Sequence, residues 1–505
     1  QGLYRMTNLS DLFPAGAGKQ VSFVADGAIS AAGKPVVLTA AGKAAEVVQT
    51  SPEVVFAAGT PVEFNADAST EGTAIAYDSS NEKVVVSYAN YYLTPTWAAA
   101  CIVGTVSGTS TSWGTPVVFS SGEVGHQTSI VFDSTNNKVV IAYRDEADSN
   151  KGKAIVGTVS GTSISYGTAV EFESGATSQI NCTFGNGEVL ICYCDIGDTN
   201  TMKAIVGTVS GTSISFGTQV SSGWTWSENP TACYDSTADK FFVGWRDNLN
   251  SNYGSSVVIT VTGTTPAFGS AVTFLSASIY NGPEPVLGVT YDPVADKSVI
   301  AYYNHALTKG YAIVATITGT TPSYGTAVLF NDNGDTESIT SGYDPDGEKH
   351  LIIYKDQDVT NDPGTAIEGT VSGTSISFGT TIIYQSTAAP VYNGLAYDTT
   401  NNKFVAAYSL NSGKGNAAVI TTGRDEVTNL TSTNLLGISD AAISDTASGN
   451  ITVKGGIAAT GLTSLTPASD YYAQTDGTIS TVTTSPAVKL GRALSATSID
   501  LEYQS

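Results

Sequence analysis

The chain is short of the residues from which most catalytic and nucleic-acid-binding sites are made. It has three His (His126, His305 and His350), two Met and 22 Lys and Arg together in 505 residues. No histidine has a neighbour spaced as a metal ligand or catalytic partner, and no HExxH, GxSxG or Walker-type loop occurs. The stretch "AGAGKQ" around Lys19 lacks the leading glycine and the hydroxyl of a phosphate loop. Charged residues make up 13%, against roughly a quarter of an average soluble chain. Acids outnumber bases, 45 against 22, for a net charge of −23. That charge repels phosphate backbones and anionic bilayers, so neither nucleic acid nor membrane is expected as a partner. It also keeps an otherwise charge-poor surface in solution. No apolar run reaches the roughly eighteen residues of a membrane span. The opening "QGLYRMTNLSDLF" lacks the basic start and apolar run of a secretory signal. No cofactor is expected.

Cysteine is scarce and odd in number: Cys101, Cys182, Cys192, Cys194 and Cys233. The five form no CxxC pair and no disulfide framework. They read as core thiols of a protein made in a reducing compartment.

What the chain has in quantity is Gly (52), Tyr (25) and short runs of Val, Ile and Thr. It also repeats itself. "KAIVGTVSGTSISYGT" at Lys153 to Thr168 returns as "KAIVGTVSGTSISFGT" at Lys203 to Thr218. The phrase "VSGT" or "TGT" recurs at Gly108, Gly161, Gly211, Gly263, Gly319 and Gly373, with a worn copy ending at Gly423. A second phrase of the type "FGTAVEF" has its glycine at Gly59, Gly114, Gly167, Gly217, Gly269, Gly325 and Gly379. A third, of the type "YDSTNNKVVIAY", begins at Tyr77, Phe132, Phe184, Tyr234, Tyr291, Tyr343 and Tyr397. Each unit holds four β-like runs, in the second copy "TSIVFD", "KVVIAYRD", "KAIVGTVSG" and "SISYGTAVEF", separated by Asp, Ser, Asn and Gly turns. Nothing in these units has helical periodicity. A four-stranded antiparallel unit of about fifty residues is the size of one β-propeller blade.

The repeat region opens on a lone fourth strand, residues 53–64, and stops after a third strand ending at Gly423. The two incomplete ends complement each other if the chain closes on itself, which also removes two sheet edges. The sequence therefore predicts an all-β protein: a seven-bladed β-propeller of four-stranded blades over 53–423, closed by its N-terminal strand. Residues 1–52 and 424–505, both strand-like and turn-rich, are expected to form one small β domain into which the propeller is inserted.

The turns joining the first two and the last two strands of each unit are uniform, whereas those on the opposite face vary, and individuality there points to function. On that face an Asp or Asn follows the aromatic ending each second strand by two residues: Asn90, Asp145, Asp195, Asp247, Asn304 and Asp356, with Leu410 breaking the pattern. Such a ring suits sugar hydroxyls or cations; alternatively each residue caps its own turn. Aromatics outside the repeat pattern (Tyr91, Tyr92, Trp97, Trp224, Trp226 and Tyr280) are candidates for stacking on sugars or for packing over the sheet ends. Trp224 and Trp226 are predicted to point the same way from an extended segment. "NDNGDTES", with Asp332, Asn333, Asp335 and Glu337, is a loose calcium-loop candidate in a single copy. The repeated S-x-D-x-G-x-T-W boxes and arginine triad of propeller sialidases are missing; "SSGWTWSEN" only echoes the box ending.

The segment "LLGISDAAISDTASGNITVKGG" is similar to the strand–turn pattern of small phage head-decoration modules. "GLTSLTPASDYYAQTDGTIS" with "KLGRALSATSIDL" resembles the endings of virion proteins of marine, cyanophage-like phages, and "MTNLSDLFPAG" from Met6 resembles their openings. The repeat phrase is itself reminiscent of phage structural proteins. This resemblance implies a non-enzymatic virion structural protein, assembled in the host cytoplasm and displayed as a tail fibre, appendage or capsid decoration. The terminal β domain would contact other virion proteins, the propeller would contact host-surface glycans, and a homo-oligomer, taken as a trimer, would multiply weak contacts. The alternatives are a free lectin and, further off, a glycan-cleaving propeller.

Overall fold

The computed structural model describes residues 20–51, 54–67, 69–90, 98–279, 282, 285–424, 427–483, 486 and 488–502. They are all-β, in antiparallel sheets, with only short 3-10 turns besides. The chain divides into two compact units, one of residues 55–423 and one of the residues before and after them.

In the 55–423 unit each sequence repeat becomes a meander. In the first, Thr70–Asp78, Lys83–Asn90 and Ala98–Ser107 lie side by side and the outer position is shared by Ser110–Trp113 and Val117–Ser120. The middle strands are buried on both faces, which is why "KVVIAY" runs are continuously apolar instead of alternating. The first turn is held by its Asp in six of the seven repeats; the third has Gly185 in that place. Asp133 Oδ1 accepts from the backbone N–H of Thr135 and Asn136, both at 2.9 Å, and Asp398 does the same for Thr400 and Asn401 at 3.0 Å. Asn137 then takes the left-handed conformation (φ 54°) that asparagine tolerates.

The outer strand differs from its prediction. "SISYGTAVEF" is two strands, Ser163–Tyr166 and the start of Val170–Gly185, broken at the Gly-Thr. At the break the chain lies against the neighbouring repeat. A Cβ on Gly167 would lie 1.8 Å from the carbonyl oxygen of Thr212, in the SGT turn of the next repeat. Gly114 stands equally close to Thr162, at 2.0 Å, and Gly59 to Thr109, at 1.9 Å. The two most faithful phrases of the sequence are thus the two halves of one inter-repeat contact. Val170–Gly185 also runs on unbroken as the first strand of the third repeat, fusing two repeats into a nine-stranded sheet.

The sheet of the seventh repeat, Pro390–Asp398, Lys403–Leu410 and Gly415–Thr421, takes its outer strands from the other end of the chain. Ala57–Ala58 and Val62–Asn65 pair with Gly415–Thr421 in the register Ile420↔Ala58 and Ala417↔Val62. Residue 53, the start of that predicted strand, lies outside the described residues. Each repeat packs its apolar face on the next. Phe64, Val405 and Val419 of the seventh share a cluster with Val84, Val86 and Tyr88 of the first.

In the other unit the two chain ends interleave. Gln20–Val24 pairs with Ser448–Thr452, and Pro35–Leu38 with Leu435–Ser439, within one five-stranded sheet. A second five-stranded sheet is made of C-terminal strands alone, among them Val488–Ser495 and Ser498–Leu501. Val37 and Val47 join Ile438, Leu490 and Ile499 in its core.

The Gly-to-carbonyl contact has one exception, Gly379, which has nothing within 4 Å of its Cβ position. Gly167→Ala should therefore cost about 1–3 kcal/mol by overpacking, whereas Gly379→Ala should change stability by less than about 1 kcal/mol. Urea denaturation of the two variants checks this, and equal losses would show the contact to be incidental.

Candidate functional site

The innermost strands of the repeats are the most irregular. Their register slips between Glu71 and Ala74, Ser178 and Asn181, Glu228 and Thr231, Glu337 and Thr340, and Val391 and Gly394. At each slip one residue is left-handed: Gly72 (φ 58°), Gln179 (53°), Asn229 (52°), Ser338 (50°) and Tyr392 (53°). These are β-bulges, which re-aim side chains and bend a strand. A positive φ at Tyr392 is costly and persists only where its surroundings impose it.

The bulged strands surround a cavity of about 240 Å³ to which every repeat contributes, from Thr73 in the first to Asn393 in the seventh. Its lining is made of hydroxyls, amides and aliphatic groups and includes no Asp, Glu, His, Lys or Arg. The strands are laced across the repeats by side-chain hydrogen bonds. The N–H of Asn229 donates to Gln179 Oε1 (2.9 Å), that of Cys182 to Ser129 Oγ (2.9 Å), and that of Asn393 to Ser338 Oγ (3.0 Å). Thr73 Oγ1 and Ser409 Oγ, 2.9 Å apart, join the first repeat to the seventh.

The residues singled out from sequence are placed less centrally. Asp145 and Asp195 cap short 3-10 turns, accepting from the N–H of Asp148 and Asp198 at 3.2 Å, and each pairs with a lysine, Lys153 and Lys203. Asp247 accepts from the N–H of Asn250 (3.2 Å) and Asn304 from that of Leu307 (3.3 Å). Asp356 is buried and accepts from the amide of Asn331 (3.3 Å). Burial raises its pKa, and Asp358 and Asp362 add to the shift. These groups are engaged with their own turns. Tyr91, Tyr92, Trp97 and Tyr280 lie outside the described residues.

Trp224 and Trp226 part company, contrary to the expectation that they point the same way. The left-handed Trp226 (φ 55°) turns the chain and leaves its ring 40% exposed. Trp224 stacks on Trp245 at 5.1 Å and meets Phe268 edge-on at 5.7 Å, inside an apolar cluster. It fills the place taken in other repeats by the Phe of "VEF", which "QVSS" lacks.

Nor does the structure gather the calcium-loop candidate. Asp332 pairs with Lys309, Asn333 donates to Asp356, Asp335 accepts from Tyr303, and Glu337 pairs with Lys355 (2.7 Å). Among the described residues no three His, Cys, Asp or Glu converge as a metal site. All five cysteines are buried and free, and burial pushes the thiols of Cys101, Cys182, Cys192 and Cys233 up to about 12.

No protein-family model and no curated protein sequence matches the chain. Solved structures resemble it in fold. The BP39L lectin from Burkholderia pseudomallei superposes with a TM-score of 0.50 at 8% identity, over 72% of this chain and 99% of that one. The Aleuria aurantia lectin AAL, solved with Fucα1-6GlcNAc, has a TM-score of 0.39 at 13% identity, over 63% and 97%. A neuraminidase-like protein of A/little yellow-shouldered bat has a TM-score of 0.38 at 9% identity, over 74% and 100%.

The two tryptophans should separate by experiment. Trp224→Ala should lose about 3 kcal/mol from its vacated apolar site, and Trp226→Ala should stay within about 0.5 kcal/mol of the parent. Chemical denaturation followed by circular dichroism checks both.

Proposed function

We propose that the 55–423 unit is a seven-bladed β-propeller, closed by its N-terminal strand, that binds uncharged glycans without cleaving them. The observation that carries this reading is the character of the central cavity. Hydroxyls and amides suit the recognition of sugar hydroxyls, whereas hydrolysis of a glycosidic bond usually requires two carboxyl groups flanking it, and the lining supplies none. The fold likeness to the Burkholderia pseudomallei lectin supports the reading, as do the bulges that turn polar groups inward in repeat after repeat. The exposed ring of Trp226 offers a further apolar face for a sugar.

We propose also that the unit built from both chain ends ties the protein to other proteins of a phage particle, as a tail fibre, appendage or capsid decoration, in an oligomer that multiplies weak contacts. The resemblance of its terminal segments to virion proteins supports this.

Two experiments test the function and one tests the closure. On a glycan array the protein should bind neutral glycans, and prolonged incubation with a bound glycan should release no sugar. Release of a reducing sugar would refute the non-catalytic reading, and a blank array would refute the binding. Deleting residues 57–65 should strip the seventh sheet of its outer strands and lower the melting temperature by more than 10 °C, a shift on the order of several kcal/mol. A variant melting with the parent would show that the ring does not depend on this strand.

A further inference from the structure

At six of the seven junctions between repeats an aromatic residue seals the outer groove. The residue before Gly-Thr, or before Gly269-Ser270, packs on an aromatic of the preceding repeat. Trp113 lies 5.4 Å from Phe64, Tyr166 5.9 Å from Phe119 and Phe216 5.9 Å from Phe172. Phe268 lies 5.7 Å from Trp224, Tyr324 6.0 Å from Phe274 and Phe378 5.8 Å from Phe330. At the seventh the corresponding residue is Ala58, opposite Tyr384. A cavity of about 440 Å³ opens there, within the range of small-molecule sites.

Three departures from the repeat pattern line this one cavity. Ala58 replaces the aromatic. Leu410 stands where the other repeats described carry Asn90, Asp145, Asp195, Asp247, Asn304 or Asp356. Asn416, cross-strand from Tyr408, occupies the position held in the second and third repeats by Lys153 and Lys203, each paired there with its Asp. With leucine in place of that Asp, the amide has lost its partner. Asn416 is 8% exposed and its Nδ2 has no hydrogen-bond acceptor. A buried unpartnered donor is costly, and such a group at a cavity wall points to a ligand.

We infer that this cavity between the sixth and seventh repeats is a binding pocket for one neutral pyranose unit, a reading that rests on the glycan-binding function proposed above. Its chemistry selects that class. Pro61, Leu410 and Ile383 offer an apolar patch to the C–H face of a sugar ring, while Asn416 and Thr387 offer hydrogen bonds. Gln385 is already engaged, donating to Tyr408 (3.3 Å) and accepting from Thr387 (3.0 Å), so it stiffens the wall. No charged residue lines the pocket, and a carboxylated sugar would enter a chain of charge −23 with no counter-ion. Acidic sugars are therefore excluded.

The test uses the full chain and saturation-transfer NMR with the methyl pyranosides of glucose, galactose, mannose and fucose, and with N-acetylneuraminic acid. At least one neutral pyranoside should show transfer, and N-acetylneuraminic acid should show none. Ala58→Phe, which supplies the aromatic the other six junctions have, should keep or raise the melting temperature and weaken that binding about tenfold or more. Asn416→Ala should weaken it roughly threefold to tenfold without lowering the melting temperature, and it decides the matter if Ala58→Phe fails to fold. Parent-like affinity in a folded Ala58→Phe overturns the pocket and leaves glycan binding elsewhere on the unit standing, whereas transfer to N-acetylneuraminic acid alone overturns the pocket and the preference for uncharged glycans together. A parent protein that binds neither these sugars nor any glycan on an array overturns both.

Discussion

The 55–423 unit depends on a contact a few atoms wide, the seating of a glycine from one repeat on the threonine carbonyl of the next. Gly167 on Thr212 and Gly114 on Thr162 leave no room for a methyl group. The contact sits at the break in the outer strand, directly after the residue that in six repeats is the aromatic packed in the groove of its neighbour. Because each repeat faces a nearly equivalent one, a single solution serves along the array. That accounts for two stretches of sixteen residues differing only at Tyr166 and Phe216. Gly59 makes the same contact with Thr109, so the seventh repeat meets the first on the terms that govern the others.

Where the pattern is relaxed, polar chemistry enters. The inner strands surrender regular pairing to bulges, and the freed backbone is recaptured by Gln179, Ser129 and Ser338 from neighbouring repeats. The seventh repeat relaxes the pattern at its outer edge instead, where Ala58 and Leu410 leave space and Asn416 an unused donor. In both places the scaffold is uniform and the exceptions are neutral. A chain with few basic residues and three histidines thus builds two uncharged hollows in an acidic body.

Much of the strand pattern was legible in the sequence because it is set locally. Alternation, buried middle runs and Asp-led turns are properties of a few consecutive residues, as at Asp133 to Lys138. What depends on another repeat was not. The close seat of Gly167 depends on Thr212, forty-five residues further on. The divergence of Trp224 from Trp226 follows from a missing Phe in "QVSS" and a left-handed residue that no glycine announces. The bulges left a faint trace, polar residues interrupting inner strands in "SQIN", "SENP" and "VYNG". Leu410 was visible as an exception, but its meaning required the wall it shares with Ala58. Among the acidic and amide candidates, position alone does not distinguish a turn cap such as Asp195 from a ligand; its lysine and backbone partners do.

The last sheet, assembled from Val62–Asn65 and Gly415–Thr421, has a consequence for the protein's birth. A ribosome that has made Asn65 must add another 350 residues to reach Gly415, since 415 − 65 = 350. At about 5–20 residues per second this is a wait of roughly 18 to 70 seconds. Throughout that interval Val62 and Phe64 lie on a strand whose partner does not yet exist. The nascent chain must therefore keep an adhesive edge from pairing with a neighbour on the same polysome. Speed of translation, as well as the finished contacts, bears on how much of this protein is recovered as single molecules.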